Sequence, residues 1–254
     1  MGAYSAREGR GVDRIARDGQ ARRWCDGTSQ DINVHSLVIK APAQGDRGAV
    51  EDLEFAPGRY NAYILSDLPA NFLTAKQQKL LAESVRQGAG LMMLGGHASF
   101  GAGGWADTPL ADILPVHIHP GDGRYEPDGG IKFVPTNLGL ESYLLQVGTN
   151  RTETARNWDQ MKPILGTNRF GKVKQAANVL AETPAPNPEP LMVSMEVGKG
   201  RSIAYGGDTW VRCRASEESR LTHRKFWRQV VFWLSHKENQ GRQQGKVTLD
   251  RHRP

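Results

Sequence analysis

The sequence predicts an α/β domain in which helices cover both faces of a mostly parallel central sheet. Short apolar runs rich in strand-forming residues are separated by turn residues and by helical patterns. A long amphipathic segment follows the last of these runs. Strands that alternate with helices form parallel sheets that are buried on both faces, and this alternation is the basis of the prediction.

The first two apolar runs and the helix between them are the clearest elements. YNAYILS (60–66) and GLMMLGG (90–96) each have the length and composition of a buried strand. Apolar residues recur at helical spacing between them and Gly88 supplies a stop, which predicts a helix over 75–87. We expect 90–96 to be a central strand with His97 at its carboxyl end.

Further elements are predicted on both sides of this unit. Two late strands meet at Gly198-Lys199-Gly200, which is typical of a hairpin turn. The terminal helix carries an apolar stripe on one face. These further elements are strands at 32–40, 177–182, 190–197 and 201–207, and helices at 13–24 and 219–236.

Composition argues against a membrane-spanning protein and against a secreted protein stabilised by disulfides. No run approaches the roughly 18 apolar residues that a transmembrane helix needs, and the first residues lack the apolar core of a signal peptide. Two cysteines in 254 residues cannot build a disulfide framework. We therefore expect a cytoplasmic chain without a membrane span of its own.

The net charge of +6 is confined to the two ends of the chain. Residues 1–24 and 236–254 each carry an excess of three basic residues, so residues 25–235 are formally neutral. Nucleic-acid binding by a folded surface requires a basic face, which this distribution does not supply. We predict a polar basic segment at 1–29, one domain at 30–236, and an exposed linker or tail at 237–254.

Ligands of open α/β sheets bind beyond the carboxyl ends of the strands. That rule selects Asp67, the Gly95–Ser99 segment and the Asp208–Trp210 segment. Each also has a purely structural interpretation. Asp67 and Asp208 could cap turns, the glycines could allow close backbone approach, His97 could be a loop histidine, and Trp210 could cover the core.

Two segments of the chain resemble a known family. GGHASFGAGGW (95–105) and FWRQVVFWL (226–234) are similar to the glutamine amidotransferase-like domain of large bacterial membrane-associated proteins, which is related to ThuA-like domains. The resemblance extends over about 30–236. It implies a flavodoxin-like three-layer sandwich of the class I glutamine amidotransferase type. It also implies a further strand before the first helix, which MGAYSAREGRG is too polar to supply.

The resemblance implies chemistry that this sequence does not carry. Active class I amidotransferases use a Cys in a G-x-C-x-G elbow, with a His-x-Glu pair after a late strand. Here the elbow is Gly95-Gly96-His97-Ala98-Ser99, and the late strand is followed by Asp208-Thr209-Trp210. We therefore expect no glutaminase activity and no cofactor.

Two functional hypotheses follow. The first is a non-catalytic module that binds an unidentified small molecule or protein, as part of a larger multidomain protein. The second is a hydrolase or transferase with a different constellation, in which Asp67, His97, Ser99 and Asp208 converge. In that case His97 is the base, and Ser99 or water is the nucleophile. The catalytic candidates are therefore His97, Ser99 and Asp208. The predicted pocket consists of Asp67, Gly95, Gly96, His97, Ser99, Phe100, Asp208 and Trp210.

Three other motifs point to different chemistry, and for each we favour a structural role. Cys213 lies between Arg212 and Arg214, which could make its thiol reactive. His117, His119 and Asp122 have a spacing that could suit zinc. The glycine run 101–105 lacks the Lys-Ser/Thr of a phosphate-binding loop. We expect no metal and no nucleotide.

Overall fold

The computed structural model describes residues 50–207 and 216–239, together with the backbone of two early strands. These strands are β1 (Arg22–Trp24) and β2 (Ile32–Val38), which pair antiparallel. The helix predicted over 13–24 is therefore wrong for its last three residues, because their backbone groups pair with the edge of β2. The rest of that helix lies outside the described residues. The strand predicted over 32–40 is confirmed at 32–38.

The described part of the chain contains eight further strands and four α-helices. The strands are β3 (Ala62–Ser66), β4 (Gly90–Leu94), β5 (Arg124–Tyr125), β6 (Val134–Pro135), β7 (Thr167–Asn168), β8 (Asn178–Glu182), β9 (Pro190–Val197) and β10 (Gly200–Tyr205). The helices are α1 (Ala75–Arg86), α2 (Asn137–Glu141), α3 (Arg151–Asp159) and α4 (Glu217–Leu234). Short 3₁₀ turns occupy Asp52–Phe55, Ala70–Phe72 and Tyr143–Leu145.

One sheet organises the fold, with the strand order β1-β2-β3-β4-β10-β9-β8-β6. The pairings β2–β3, β3–β4 and β4–β10 are parallel. Met92 of β4 lies between Ile64 of β3 and Ile203 of β10, which confirms that the 90–96 segment provides a central strand. The strands on either flank are antiparallel, including the predicted β9–β10 hairpin. The predicted α/β class is confirmed.

Helices lie on both faces of this sheet. On one face, Leu81 and Val85 of α1 pack in a fully buried cluster with alternate residues of β3 and β4. On the other face, Phe226 and Val230 of α4 pack in a second cluster. Each cluster lies between the sheet and the helices on one of its faces, which gives the three layers that the sequence predicts.

Local sequence explains where the two long helices begin. Thr74 caps α1 and forms a reciprocal capping box with Gln77, which satisfies amide groups that the first turn leaves unpaired. The Ser216 side chain caps α4 by accepting a hydrogen bond from the Ser219 N–H. The predicted bounds 75–87 and 219–236 are therefore confirmed to within two residues.

The start of the predicted tail is docked on the core. Glu238 accepts a hydrogen bond of 2.8 Å from Arg201 at the beginning of β10. The Arg201 guanidinium also lies over the Trp233 ring and bonds Glu196. The prediction of an exposed tail over 237–254 is therefore wrong for Glu238, because its side chain forms an ion pair with the largely buried Arg201. Residues 240–254 lie outside the described residues.

Candidate functional site

The candidate site lies where β3, β4 and β10 end at one edge of the sheet. Asp67 follows β3, and the Gly95–Ser99 segment follows β4 directly. Gly206 and Gly207 follow β10. Because neighbouring parallel strands end at the same edge, the topology brings these loops together. The predicted site residues Asp208 and Trp210 lie outside the described residues.

Two glycines allow the loops to meet. The Gly95 N–H donates to the carbonyls of Tyr205 and Gly207 at 2.7 and 3.0 Å. A Cβ atom on Gly95 would lie 1.7 Å from the Gly206 carbonyl oxygen, and one on Gly96 would lie 2.5 Å from Asp67 Oδ1. Both positions therefore require glycine, because a side chain would prevent the loops from approaching each other. This agrees with the structural interpretation of the two glycines.

Asp67 and Ser99 hold the β3 and β4 loops together. The Asp67 carboxylate accepts the Ala98 N–H at 2.7 Å, and the Asp67 N–H donates to Ser99 Oγ at 3.2 Å. Asp67 adopts a left-handed backbone with φ 51°. Ser99 is only 1% exposed. The structure therefore brings these two predicted site residues together. Each side chain accepts a hydrogen bond from a backbone N–H of the other loop.

His97 is exposed at the end of the central strand. Its φ is not positive, whereas Phe100 has φ 51°. Residues 95–123, all described, contain turns and no helix. The strand-to-helix elbow of an amidotransferase is thus replaced by a chain of turns. Phe100, predicted as part of the pocket, is buried in the core against Phe170, with ring centroids 4.9 Å apart.

A two-stranded ribbon, β5 with β7, crosses this edge of the sheet and contributes Asn168. The Asn168 side chain is buried, accepts the Gly96 N–H at 2.8 Å and donates to the Ser99 carbonyl at 3.3 Å. Its own N–H donates to the Gly206 carbonyl at 2.8 Å. Asn168 therefore connects the loops that follow β4 and β10. No motif in the sequence marks it.

The ribbon also carries two charged side chains, Arg124 and Glu126. The Arg124 side chain is 7% exposed and forms an ion pair with Glu126. The hydrogen bond from Arg124 is the largest cause that lowers the pKa of Glu126, and the charge of His97 contributes in the same direction. Glu126 is thus an acid within electrostatic range of His97. Sequence reasoning missed both residues because neither belongs to a recognisable motif.

The other predicted motifs do not form a metal site in the described residues. Across residues 50–207 and 216–239, no three His, Cys, Asp or Glu side chains cluster as metal ligands would. The His119 N–H donates to Asp122 Oδ2, and the His117 N–H donates to the Lys172 carbonyl. Both contacts are those of an ordinary turn and loop. Cys213 lies outside the described residues.

The family of the chain follows from comparison of its sequence with known families. Residues 58–236 match the family described as "Putative glutamine amidotransferase". The chain belongs to this family. The matched region begins just before β3 and ends just after α4, so it contains the His97 edge and both helical layers. Comparison with curated proteins finds no match.

Two solved structures from Salmonella resemble this member of the family. Cytoplasmic protein STM3548 of Salmonella typhimurium is 22% identical, with a TM-score of 0.56 over 71% of this chain and 72% of its own. Cytoplasmic protein STM1381 of Salmonella typhimurium LT2 is 25% identical, with a TM-score of 0.50 over 68% of this chain and 71% of its own. The first likeness supports the fold alone. None of the described helices of the amidotransferase-like chain is long and apolar enough to cross a bilayer.

Proposed function

We propose that this chain is a family member without glutaminase activity, which serves as a binding or interaction module. The hydrogen bond from the Ala98 N–H to the Asp67 carboxylate carries the proposal. In a nucleophile elbow, the N–H of the residue after the nucleophile stabilises the oxyanion. Ala98 follows His97, which stands at the nucleophile position, so the Ala98 N–H would be the oxyanion donor. That N–H already donates its hydrogen bond to the Asp67 carboxylate.

The residue types at the site support the same conclusion. An imidazole at position 97 cannot replace a thiolate as acyl acceptor without its own activator. The turns after β4 supply no helix N-terminus, whose partial positive charge would stabilise an ionised nucleophile. Gly207 is followed by Asp208-Thr209-Trp210, where the active enzymes carry a His-x-Glu pair.

A ligand of the module would meet the exposed carboxyl edge of the sheet. His97 is exposed there, with Glu126 in electrostatic range and Asp67 half-buried beside it. We include Asp208 and Trp210 in the proposal because they follow β10 in the sequence. The ligand is a small molecule or a protein segment, and the module acts in the cytoplasm as part of a larger multidomain protein.

The alternative is a hydrolase or transferase that uses His97 as a general base. Glu126 is the acid that this alternative would pair with His97, because the charge of His97 is among the causes that lower the pKa of Glu126. Ser99 does not suit the nucleophile role, since it is 1% exposed and accepts the Asp67 N–H. Water would therefore be the nucleophile in this alternative, with Asp67 and Asp208 as further polar groups.

Covalent labelling with a glutamine-mimicking diazoketone tests the proposal. We expect the intact mass of the full chain to stay unchanged, because position 97 offers no thiol. A Cys213→Ser variant is the matched control, since Cys213 is the thiol nearest in sequence to the site. Stoichiometric labelling of Cys213 that glutamine prevents would overturn the proposal.

Hydrolysis of an activated ester tests the alternative. If the module proposal is correct, His97→Ala, Glu126→Gln and the wild-type chain give the same background rate. A rate that falls in both variants but not in Lys162→Gln, an exposed residue outside the site, would favour the hydrolase.

A further inference from the structure

A cleft runs along the outer face of α1. Its volume is about 600 Å³, and it contains none of the candidate site residues. Seven of its lining residues belong to α1 and one to the loop after β4. The lining residues are Ala75, Lys76, Lys79, Leu80, Ala82, Glu83, Arg86 and Pro109.

The cleft has an apolar floor built from two rows of helix positions. One row contains Ala75, which is exposed, and Ala82, which is fully buried beneath it. The neighbouring row contains Leu80, which is half-buried, and Pro109 lies opposite. Residues three and four apart form such rows on a helix, and grooves between rows accept the side chains of another helix.

The rim of the cleft is basic. Lys76 pairs with Asp52 at 2.8 Å, and Glu83 accepts a hydrogen bond from Gln87 at 2.8 Å. Lys79 and Arg86 are exposed and form no ion pair with any residue of 50–207 or 216–239. Two cations therefore border an apolar floor without a carboxylate partner in the described protein.

A further exposed apolar side chain lies toward the Lys76 end. Leu53 is 61% exposed, and it is next in the chain to Asp52, the partner of Lys76. Exposed apolar surface rimmed by charge is a mark of an interaction site. The pattern matches recognition of an amphipathic helix, which places apolar side chains in a groove and polar ones at its rim.

We propose that the α1 cleft binds an acidic amphipathic helix of a partner protein. Charge favours this occupant over the chain itself. Residues 1–24 contain six arginines and three acidic residues, so they would meet Lys79 and Arg86 with like charge. Residues 25–235 of a second copy are formally neutral, so they offer these cations no net attraction. The lining of the cleft contains none of the candidate site residues, so this inference does not rest on the proposed function.

The probe for this proposal is a fluorescent synthetic helix with leucine at positions i, i+3, i+4 and i+7 and glutamate elsewhere. Fluorescence anisotropy with the full chain should show saturable binding that weakens with added salt, because rim charges set the salt dependence of affinity. The same helix with lysine in place of glutamate should not bind. Equal binding of both helices, or no saturation, would overturn the proposal.

Two double variants separate the cleft from bulk charge. Lys79→Glu/Arg86→Glu and Lys162→Glu/Lys172→Glu change the net charge by the same amount at exposed positions. We expect the first to weaken binding by roughly tenfold and the second to leave it nearly unchanged. Equal weakening would show that binding is not at the cleft. Self-association of the chain that only the first variant abolishes would make a second copy the occupant, and would also refute the proposal.

Discussion

Asn168 Oδ1 lies 2.8 Å from the Gly96 amide nitrogen, which connects the ribbon to the loop that carries His97. The same side chain donates to the Ser99 carbonyl, and its backbone N–H donates to Gly206. One buried asparagine thus joins the loops after β4 and β10 through its side chain and its backbone. The β5–β7 ribbon is therefore part of the candidate site.

Replacing this amide should destabilise the protein. Asn168→Ala leaves the buried Gly96 N–H and the Ser99 carbonyl without their partner. We therefore expect the free energy of unfolding to fall by about 2–4 kcal/mol. Urea denaturation measures this change. Asn178→Ala, at an exposed position of β8, is the control and should change the free energy of unfolding by less than about 0.5 kcal/mol. Equal effects of the two variants would show that the Asn168 contacts add little.

A methyl group at Gly95 should be far more harmful than one at Gly121. The Cβ atom at position 95 would lie 1.7 Å from the Gly206 carbonyl oxygen, and both residues directly follow paired central strands, which limits how far the two backbones can move apart. We expect Gly95→Ala to cost at least about 3 kcal/mol or to prevent folding. A Cβ atom at Gly121 meets nothing within 4 Å, so Gly121→Ala should fold normally. Similar melting temperatures for the two variants would contradict the close approach.

Much of this arrangement could be predicted from the sequence. The strand 90–94 is a continuous apolar run of five buried residues, and Thr74 and Gln77 mark the start of α1, so local patterns were sufficient. The order of loops at the carboxyl edge followed from the parallel pairing. That rule placed Asp67 beside the segment that contains Ser99, as the structure shows.

The rest depended on contacts that no local pattern encodes. Strands β5 and β7 are two residues long, too short for periodicity to reveal them. Asn168 meets Gly96 across 72 positions of sequence. Glu126 reaches the site because β5 pairs with β7. Trp24 ended a helical pattern in the sequence, and its backbone pairs with β2 instead.

Alkaline pH should reveal the environment of Tyr60. Burial is the largest cause that raises the pKa of Tyr60 to about 12, and its hydrogen bond to Glu54 adds to the effect. The unfolded chain loses this proton near 10.0, before the folded chain does. The contribution of Tyr60 to stability is therefore complete below about pH 10 and is lost as the pH rises toward 12.

Tyr60→Phe should accordingly be less stable at neutral pH but should lose less stability between pH 10 and 12 than the wild-type chain. Denaturation at several alkaline pH values measures this slope. Tyr125→Phe, at a side chain that is 44% exposed, should keep the wild-type slope. An unchanged slope in Tyr60→Phe would show that this phenol titrates as it does in the unfolded chain.

The end of the domain should be sensitive to the position of truncation. A chain that ends at Asn239 keeps the bond between Arg201 and Glu238 and should retain nearly full stability. A chain that ends at Lys237 leaves a largely buried arginine with one fewer carboxylate partner and should lose about 1–2 kcal/mol. Thermal unfolding of the two chains makes the comparison. Equal melting temperatures would mean that Glu238 is not part of the folded domain.

Ammonia release from glutamine by the full chain tests the central claim most directly. We expect no release above the protein-free background, because position 97 carries an imidazole and the Asp67 carboxylate takes the Ala98 N–H. His97→Cys should be equally inactive, since no His-x-Glu pair follows Gly207 to activate the thiol. Sustained ammonia release by the wild-type chain would contradict this account.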